Sequence, residues 1–475
     1  MTAKRGVREV MPWPSGVPVI RADPGKELAN MKKIKIGLVA VASPVESGGE
    51  RGADLLARAQ KAITEAGMDV AVYPDVIWDA PAAIEACMKL KEEKVNSLVV
   101  MDITWVVDSL KYIFTTQLPV PTVYWAVPYT ETFSIGCIQH YGSILKAMGY
   151  TYDYVYGLPE DEEVIEGIRS YAKVGAAVEN TKSMIIGLAG PRQTWRVAGP
   201  QDMTKEEWDF TIKTGVTFVH IEMEEITDIA DQIADADAQK TLDELKKRSG
   251  KSVASEAALL YNAKVYMATK EIIEKYHLTS MAAECYPNYG GLMNLIASWL
   301  GDEGFYLDTE GDLGHTFIIN TLNQFAGGGV VALGEAGSID SERNLVPIAH
   351  EGSTPMSLAD SLDRAQINPS GELGTFVGVP HKAMDTVTTC AIVGNGGNYK
   401  VFIAKGRTLD VTHDEWVEGG SKLLVNLQYD VPARSVVDQL IKGGMDHHFV
   451  IKEGDYTKEM EAFCDYMGFE VLKLK

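Results

Sequence analysis

The chain is 475 residues long, 46% hydrophobic and 23% charged, and its formal net charge is −22. At a prior of roughly 150 residues per domain, this length predicts about three domains with ample material for their cores. A protein that binds nucleic acid or an anionic membrane surface needs a basic face to meet the negative charges of its partner. The acidic balance therefore argues against both kinds of partner.

The five cysteines are widely spaced and include no CxxC pair: Cys87, Cys137, Cys285, Cys390 and Cys464. Such a set favours neither a disulfide framework nor a thiolate zinc site, and it fits the reducing cytoplasm. No apolar run reaches the ~18 residues that indicate a membrane span. Residues 1–31 carry four prolines and no continuous apolar segment, so we predict an irregular N-terminal extension and no secretory signal.

Residues 32–180 are predicted to form an N-terminal α/β domain. The predicted strands are Lys33–Ala42, Val70–Tyr73, Asn96–Asp102 and Pro121–Val127, with helices at Ala53–Ala66 and Ala80–Glu93. Strands that alternate with helices indicate parallel βαβ units, and near-continuous apolar strands indicate a sheet covered on both faces. Ligands of such sheets bind in the loops that follow the carboxyl ends of the strands.

A central α/β domain of the same kind is predicted over residues 181–327. Its strands lie at Ser183–Ala189 and within Gly215–Met223, and its helices at Asp235–Lys247, Ser255–Tyr276 and Leu292–Leu300. The predicted fold class is therefore α/β, with two doubly wound parallel-sheet domains that precede a third domain with a different sequence pattern.

Short β-branched segments punctuated by glycine follow from about Gly327 onward, typical of antiparallel strands joined by turns. We predict strands at Gly329–Leu333, Val387–Val393, Tyr399–Lys405 and Lys422–Asn426, then a helix at Thr457–Met467 and a strand at Glu470–Lys473. Residues 328–475 are thus predicted to be a mainly antiparallel, β-rich C-terminal domain.

Glycine motifs for nucleotides do not occur in this sequence. Gly327 to Gly329 precede a strand instead of following one, which is the wrong order for a dinucleotide fingerprint, and no Walker-type GxxxxGK[ST] exists. A GxSxG nucleophile elbow is also absent. A turn is the simpler interpretation of the three glycines.

Acidic and imidazole side chains follow predicted strands in the second half of the chain. They are Glu310 in LDTEGDLGH with Asp312 and His315 beside it, Glu335 in VVALGEAG, His350 in LVPIAHEG, and His447 and His448 in GGMDHHFV. A carboxylate and imidazole set without thiolates favours manganese, magnesium or cobalt over structural zinc. Spacing alone leaves the alternative open, since a Glu after a strand is usually solvated and a lone His usually structural.

These motifs resemble those of the L-arabinose isomerase and L-fucose isomerase superfamily. The EGD at Glu310 is similar to the acidic motif that opens the metal site of that family, and Glu335 is similar to its second acidic ligand. His350 and the GGMDHH stretch resemble the histidine ligands of the arabinose branch, which gives the ligand role to His448. The stretches IQHYG and NYKVFIAKGR and the closing helix and strand extend the resemblance along the chain.

The resemblance implies a metal-dependent aldose–ketose isomerase. It implies that Glu310, Glu335, His350 and His448 bind one Mn²⁺, with Mg²⁺ or Co²⁺ possible and no organic cofactor. Glu310 and Glu335 would also be the catalytic acid and base that pass a proton through an enediolate. The substrate would be an uncharged sugar or a close relative, namely a pentose, a 6-deoxyhexose or a modified hexose. A homotrimer or homohexamer is implied as well.

Substrate contacts are predicted for His140, which stands in IQHYG, for His447 beside the metal histidine, and for Trp105. Trp105, Trp125, Tyr129 and His140 lie at or just after predicted strand ends of the first domain and could equally be core residues. Arg192 and Arg196 are suited either to an acidic group on the substrate or to surface salt bridges. Glu284 is suited either to the lining of a pocket or to the cap of the following helix.

The chain departs from the arabinose enzymes at Leu313, where tryptophan commonly follows EGD, and over residues 183–203, which are more similar to the fucose branch. These departures leave the sugar open. Two alternatives also stay open, a non-catalytic sugar-binding protein on the same scaffold and another enediolate reaction such as epimerisation or aldol cleavage.

Overall fold

The computed structural model describes residues 34–190, 207–283, 289–350 and 352–475. It confirms the predicted fold class, because two parallel sheets with flanking helices precede a mainly antiparallel sheet that closes into a barrel. The predicted extension over residues 1–31 lies outside the described residues, as do Arg192, Arg196 and Glu284. In the described part of the chain, no helix has both the length and the apolar character needed to span a bilayer.

The first sheet is parallel and five-stranded in the order β2-β1-β3-β4-β5. Its strands are β1 (Lys35–Val41), β2 (Asp69–Val72), β3 (Ser97–Asp102), β4 (Thr122–Ala126) and β5 (Asp153–Tyr156). Its helices are α1 (Gly52–Glu65), α2 (Ala80–Glu92), α3 (Asp108–Gln117), α4 (Ser134–Ala147) and α5 (Glu162–Thr181). Alternate residues of β1 enter two separate hydrophobic clusters, so both faces of this sheet are buried as predicted.

The central sheet is also parallel, with four strands in the order β10-β9-β6-β7. These strands are β6 (Ile185–Ala189), β7 (Thr217–Ile221), β9 (Ser280–Ala283) and β10 (Leu307–Asp308). The helices of this region are α6 (Glu207–Thr214), α7 (Met223–Gln232), α8 (Asp235–Lys246), α9 (Glu256–Tyr276), α10 (Asn294–Asp302) and α11 (Leu313–Ala326). The loop that contains the EGD motif follows the two-residue strand β10.

The third sheet has ten strands in the order β19-β16-β15-β18-β11-β12-β17-β14-β13-β8, and an added pairing of β16 with β17 closes six of them into a barrel. Its strands are β8 (Lys251–Ser252), β11 (Ala332–Ala336), β12 (Val346–His350), β13 (Gln366–Ser370), β14 (Gly374–Pro380), β15 (Met384–Asn395), β16 (Asn398–Leu409), β17 (Leu423–Gln428), β18 (His448–Glu453) and β19 (Glu470–Lys473). The helices here are α12 (His413–Glu418), α13 (Ala433–Gly443) and α14 (Thr457–Met467).

Two details differ from the sequence-based prediction. The strand predicted from Gly329 begins at Ala332, because Gly327, Gly328 and Gly329 have φ values of 73°, 100° and 98° and form a turn that an L-residue would resist. The strand β8 belongs to the central segment in sequence but pairs with β13 of the third sheet. The domain boundaries at residues 180 and 327 remain predictions.

Candidate metal and sugar site

The loop after β10 is organised by an acid that the sequence analysis did not single out. Asp308 is buried, and its Oδ2 accepts hydrogen bonds from the backbone N–H groups of Glu310 at 2.9 Å and Asp312 at 2.7 Å. Gly311, between those two residues, has φ of 77°, which glycine adopts without strain. An Asp that binds backbone groups two and four residues later was a readable turn signal.

Helix α11 starts from the same loop. Asp312 is its N-cap, and the Asp312 side chain accepts from the backbone N–H of His315 at 2.9 Å. Both side chains are fully buried, and His315 Nδ1 lies 2.6 Å from Asp312 Oδ2. This cap holds Asp312 in place, while the loop directs Glu310 toward the barrel.

Three adjacent barrel strands, in the order β18-β11-β12, bring the remaining candidates to one end of the barrel. Glu335 in β11 is paired across the sheet with His448 on one side and with Ala349, the neighbour of His350, on the other. His350 ends β12 and His448 begins β18. Residues far apart in sequence thus meet through strand register.

Glu310 is the centre of the resulting cluster. Its Oε1 lies 3.9 Å from His350 Nε2, and its Oε2 lies 3.5 Å from His448 Nε2. The side chain of Glu310 is only 11% exposed, which keeps bulk water from screening these contacts. The structure therefore brings three of the four predicted metal ligands together.

Glu335, the fourth predicted ligand, contacts this cluster through His447. The Oε2 of Glu335 lies 3.4 Å from His447 Nε2, and these two side chains are 49% and 45% exposed. The ring centroids of His447 and His448 are 4.4 Å apart. The solvent side of the cluster is thus formed by Glu335 and His447, and its buried side by Glu310, His350 and His448.

Burial and neighbouring charges shift the pKa values in opposite directions. Burial alone would raise the pKa of Glu310, but the hydrogen bond to His448 and the charges of His350, His448 and His447 outweigh it and lower that pKa to about 2. Burial, with Asp312 nearby, raises the pKa of Asp308 to about 7. Burial would lower the pKa of His448, yet Asp312 and Glu310 raise it to about 10. Glu310 therefore remains a carboxylate although it is buried.

The donor atoms suit a divalent cation. Ligand atoms from Glu310, His447 and His448 all lie within 4.8 Å of one another, as do those from Asp312, His315 and His448. Adjacent ligands of an octahedral ion bound at ~2.1 Å are about 3 Å apart, close to the observed spacing around Glu310. Carboxylate and imidazole donors without a thiolate favour Mn²⁺, Mg²⁺ or Co²⁺, so the residues fit the predicted metal.

The predicted sugar contacts in the first domain lie apart from this cluster. Trp105 and His140 stack with ring centroids 5.4 Å apart, and His140 Nε2 lies 3.1 Å from Asp108 Oδ2. Within the described ranges, the hydrogen bonds, ion pairs and ring contacts of both residues are with the first domain. His140 stands in helix α4, not at a strand end as we predicted, because the strand β4 already stops at Ala126.

Trp125 and Tyr129, the two aromatic residues left open between core and site, have different environments. Trp125 is a fully buried residue of β4 whose Nε1 donates to the carbonyl of Gly157 at 2.9 Å, so it belongs to the core. Tyr129 lies under the guanidinium of Arg51, at 4.4 Å from the ring centroid. Neither feature indicates a sugar contact.

Comparison with known proteins yields no matching family model. Curated relatives do match over most of the chain. The sulfoquinovose isomerase of Alkalicoccus urumqiensis is 21% identical over 85% of this chain and 91% of its own. The sulfoquinovose isomerases of Clostridium sp. (strain MSTE9) and Priestia aryabhattai are 23% and 21% identical, over 69% and 67% of this chain and 73% and 70% of their own.

The chain is similar to sulfoquinovose isomerases. This likeness confirms the prediction of an enzyme of the sugar isomerase class. The names of these relatives support the sugar isomerase class but not the L-arabinose and L-fucose isomerase superfamily in particular. The substrate and the metal are taken up as proposals below.

Proposed function

We propose that this chain is a metal-dependent aldose–ketose isomerase whose substrate is a hexose with an anionic sulfonate group. The convergence of His350 and His448 on the buried carboxylate of Glu310 is the observation that carries the metal-dependent chemistry. The proposed substrate class is inferred from the names of the relatives. Sulfoquinovose, a 6-deoxyhexose with a sulfonate on C6, is the first compound to test.

The proposed metal ligands are Glu310, Glu335, His350 and His448, as the resemblance to the arabinose and fucose isomerases implies. When bound, a divalent ion such as Mn²⁺ supplies a Lewis acid for the sugar oxygens at C1 and C2. Glu310, held as a carboxylate by the surrounding imidazoles, provides the fixed negative charge of the site. Its loop position is maintained by Asp308.

Glu310 and Glu335 are the proposed acid and base. Isomerisation removes the proton from C2 and returns a proton to C1, while the hydroxyl proton of O2 passes to O1. One carboxylate would exchange the carbon-bound proton and the other the oxygen-bound proton, which requires each to come within hydrogen-bond reach of its atom. Glu335 lies on the solvent side with His447, so this pair would meet the sugar as it enters.

A homo-oligomer would complete the sugar site. Trp105 and His140 stack on the first domain, and three exposed apolar residues lie nearby in sequence, namely Val107, Phe133 and Ile135. We place this surface against the Glu310 cluster of a second copy, in a trimer or a hexamer. A cytoplasmic location accompanies the proposal, because the four described cysteines are free and buried.

The test is ketose formation from sulfoquinovose in D₂O, followed by NMR with and without Mn²⁺. Isomerisation yields one ketose with deuterium at C1. The uncharged matched control is glucose, and L-arabinose and L-fucose test the families that the motifs resemble. Glu310→Gln is the matched inactive variant.

Four outcomes would contradict the proposal. Turnover that persists after chelation and dialysis would remove the metal from the mechanism. Fragments would indicate aldol cleavage, and a C2-inverted aldose would indicate epimerisation. Equal turnover of glucose and sulfoquinovose would remove the sulfonate from recognition.

A further inference from the structure

His315 is a fully buried histidine that the proposed reaction does not use. It occupies the first turn of α11, and its ring lies between Asp312 and the strand β15. The ring centroids of His315 and His448 are 5.7 Å apart. His315 therefore lies directly behind a proposed metal ligand without facing the sugar.

Its two ring nitrogens have different partners, and these determine its tautomer. The backbone N–H of Ile392 donates to His315 Nε2 at 3.1 Å. A ring nitrogen that accepts a hydrogen bond carries a lone pair, so the proton of neutral His315 is on Nδ1. Nδ1 itself lies 2.6 Å from Asp312 Oδ2, within ion-pair distance of that carboxylate.

The same carboxylate oxygen faces a second imidazole. His448 Nδ1 lies 2.9 Å from Asp312 Oδ2. An ionised carboxylate can only accept, so Nδ1 of His448 is the donor in this contact. The opposite nitrogen of that ring, Nε2, then faces Glu310, at 3.5 Å from its Oε2.

We infer that His315 is a positioning residue that, through Asp312, fixes the ring orientation and tautomer of His448 so that Nε2 is presented to a metal ion. The inference deepens the proposed function and rests on its metal-binding part. The order of contacts runs from the Ile392 backbone through His315 and Asp312 to His448. Carboxylates that hold metal-binding histidines in this way orient the ring and raise its basicity.

The alternative is that Asp312, His315 and His448 themselves bind an ion, since their ligand atoms also lie within 4.8 Å of one another. The observed contacts argue against it. Nε2 of His315 already accepts the backbone N–H of Ile392, and Nδ1 is in close contact with Asp312 Oδ2. Occupation by a cation would break at least one of these contacts inside a fully buried pocket.

Two substitutions of His315 test its two ring nitrogens one at a time. In His315→Asn the amide nitrogen takes the place of Nδ1 and keeps a donor for Asp312. In His315→Gln the amide oxygen takes the place of Nε2 and keeps an acceptor for Ile392, but no donor reaches Asp312. Thr321→Val is the matched control, because Thr321 is buried on the same helix and donates only to the carbonyl of Phe317.

The measurement is Mn²⁺ affinity by EPR of the free ion, with the melting temperature alongside. We expect His315→Gln to bind Mn²⁺ roughly 10–100-fold more weakly, His315→Asn to lose clearly less, and Thr321→Val to match the wild type. Equal losses in both His315 variants, or wild-type affinity in His315→Gln, would overturn the inference.

Because Mn²⁺ binding is measured without turnover, the two proposals can fail separately. A wild type that binds Mn²⁺ but forms no ketose from any tested sugar would reject the proposed function and leave this inference standing. A wild type that binds no Mn²⁺ would reject both.

Discussion

The first and central sheets each have a strand that ends on a buried aspartate, and the two aspartates bind different kinds of partner. Asp102 ends β3 and Asp308 ends β10, and burial raises their pKa values to about 6 and about 7, respectively. Asp102 accepts an ammonium contact from Lys111 at 2.8 Å, and both of these side chains are completely buried. Asp308 accepts two backbone N–H groups instead.

The difference lies in what each aspartate does to the next few residues. The ammonium of Lys111 lies over the rings of Tyr124 and Tyr141, at 5.0 Å and 5.4 Å, so the end of β3 is sealed by charge and aromatic packing. At β10, the bonds to backbone groups turn the loop so that Glu310 faces imidazoles. In this chain, the strand-end aspartate that bonds to backbone groups is therefore the one beside the candidate site.

The largest effect is expected on kcat, when the charge of Glu310 in the candidate site is removed. Glu310→Gln should lower kcat by ~10²–10⁴-fold, because it removes both a proposed metal ligand and a proposed proton carrier. Steady-state kinetics measures this loss, and circular dichroism should show an unchanged fold. Glu85→Gln, an exposed carboxylate of the first domain, should have wild-type kcat. A Glu310→Gln enzyme with normal kcat would remove Glu310 from the mechanism.

A substitution in the buried pair of Asp102 and Lys111 should change the stability of the fold and not metal binding. Lys111→Met leaves Asp102 buried without its cation and should lower the free energy of unfolding by ~3–5 kcal/mol, measured by urea denaturation. The bound Mn²⁺ per chain should not change. Lys89→Met breaks an exposed pair with Glu85 and should cost at most ~1 kcal/mol. A loss of metal on Lys111→Met would show that the two strand ends are coupled.

A buried histidine outside both clusters tests how imidazole burial alone affects stability. Burial lowers the pKa of His381 to about 4, so the unfolded chain takes up a proton that the folded chain excludes. Stability from this group is complete above pH 6.5 and is lost as the pH falls toward 4, by about 3 kcal/mol in total. His381→Gln should flatten the fall in unfolding free energy over that range. An unchanged pH dependence would contradict the assignment.

The smallest effect is expected on the exposed face of the first domain. His140→Asn removes an exposed contact with Asp108 and should change the unfolding free energy by less than ~0.5 kcal/mol. If that face contacts the sugar in an oligomer, KM should rise about 3–10-fold with kcat nearly constant. An unchanged KM would remove His140 from the site, and light scattering on the same sample gives the oligomeric state.

Much of the architecture could be read from local pattern. The apolar strands Lys35–Val41 and Ser97–Asp102 and the helices between them are set by side-chain periodicity, which neighbouring residues determine together. The glycine turn at residues 327–329 was recognisable as a turn, but the residue at which β11 begins depended on backbone angles. The membership of β8 in the third sheet depended on a distant partner, β13, and no local pattern specifies such a pairing.

For the candidate site, the candidate carboxylates and imidazoles could be predicted from the amino-acid sequence, because residue type sets ligand chemistry. Which of them meet depends on the fold, because the order β18-β11-β12 and its register bring His448, Glu335 and His350 to one end of the barrel. The fold also sets the roles of Asp308 and His315, since hydrogen bonds to specific backbone groups orient both side chains. Such orientation depends on three-dimensional neighbours, which a linear pattern does not contain.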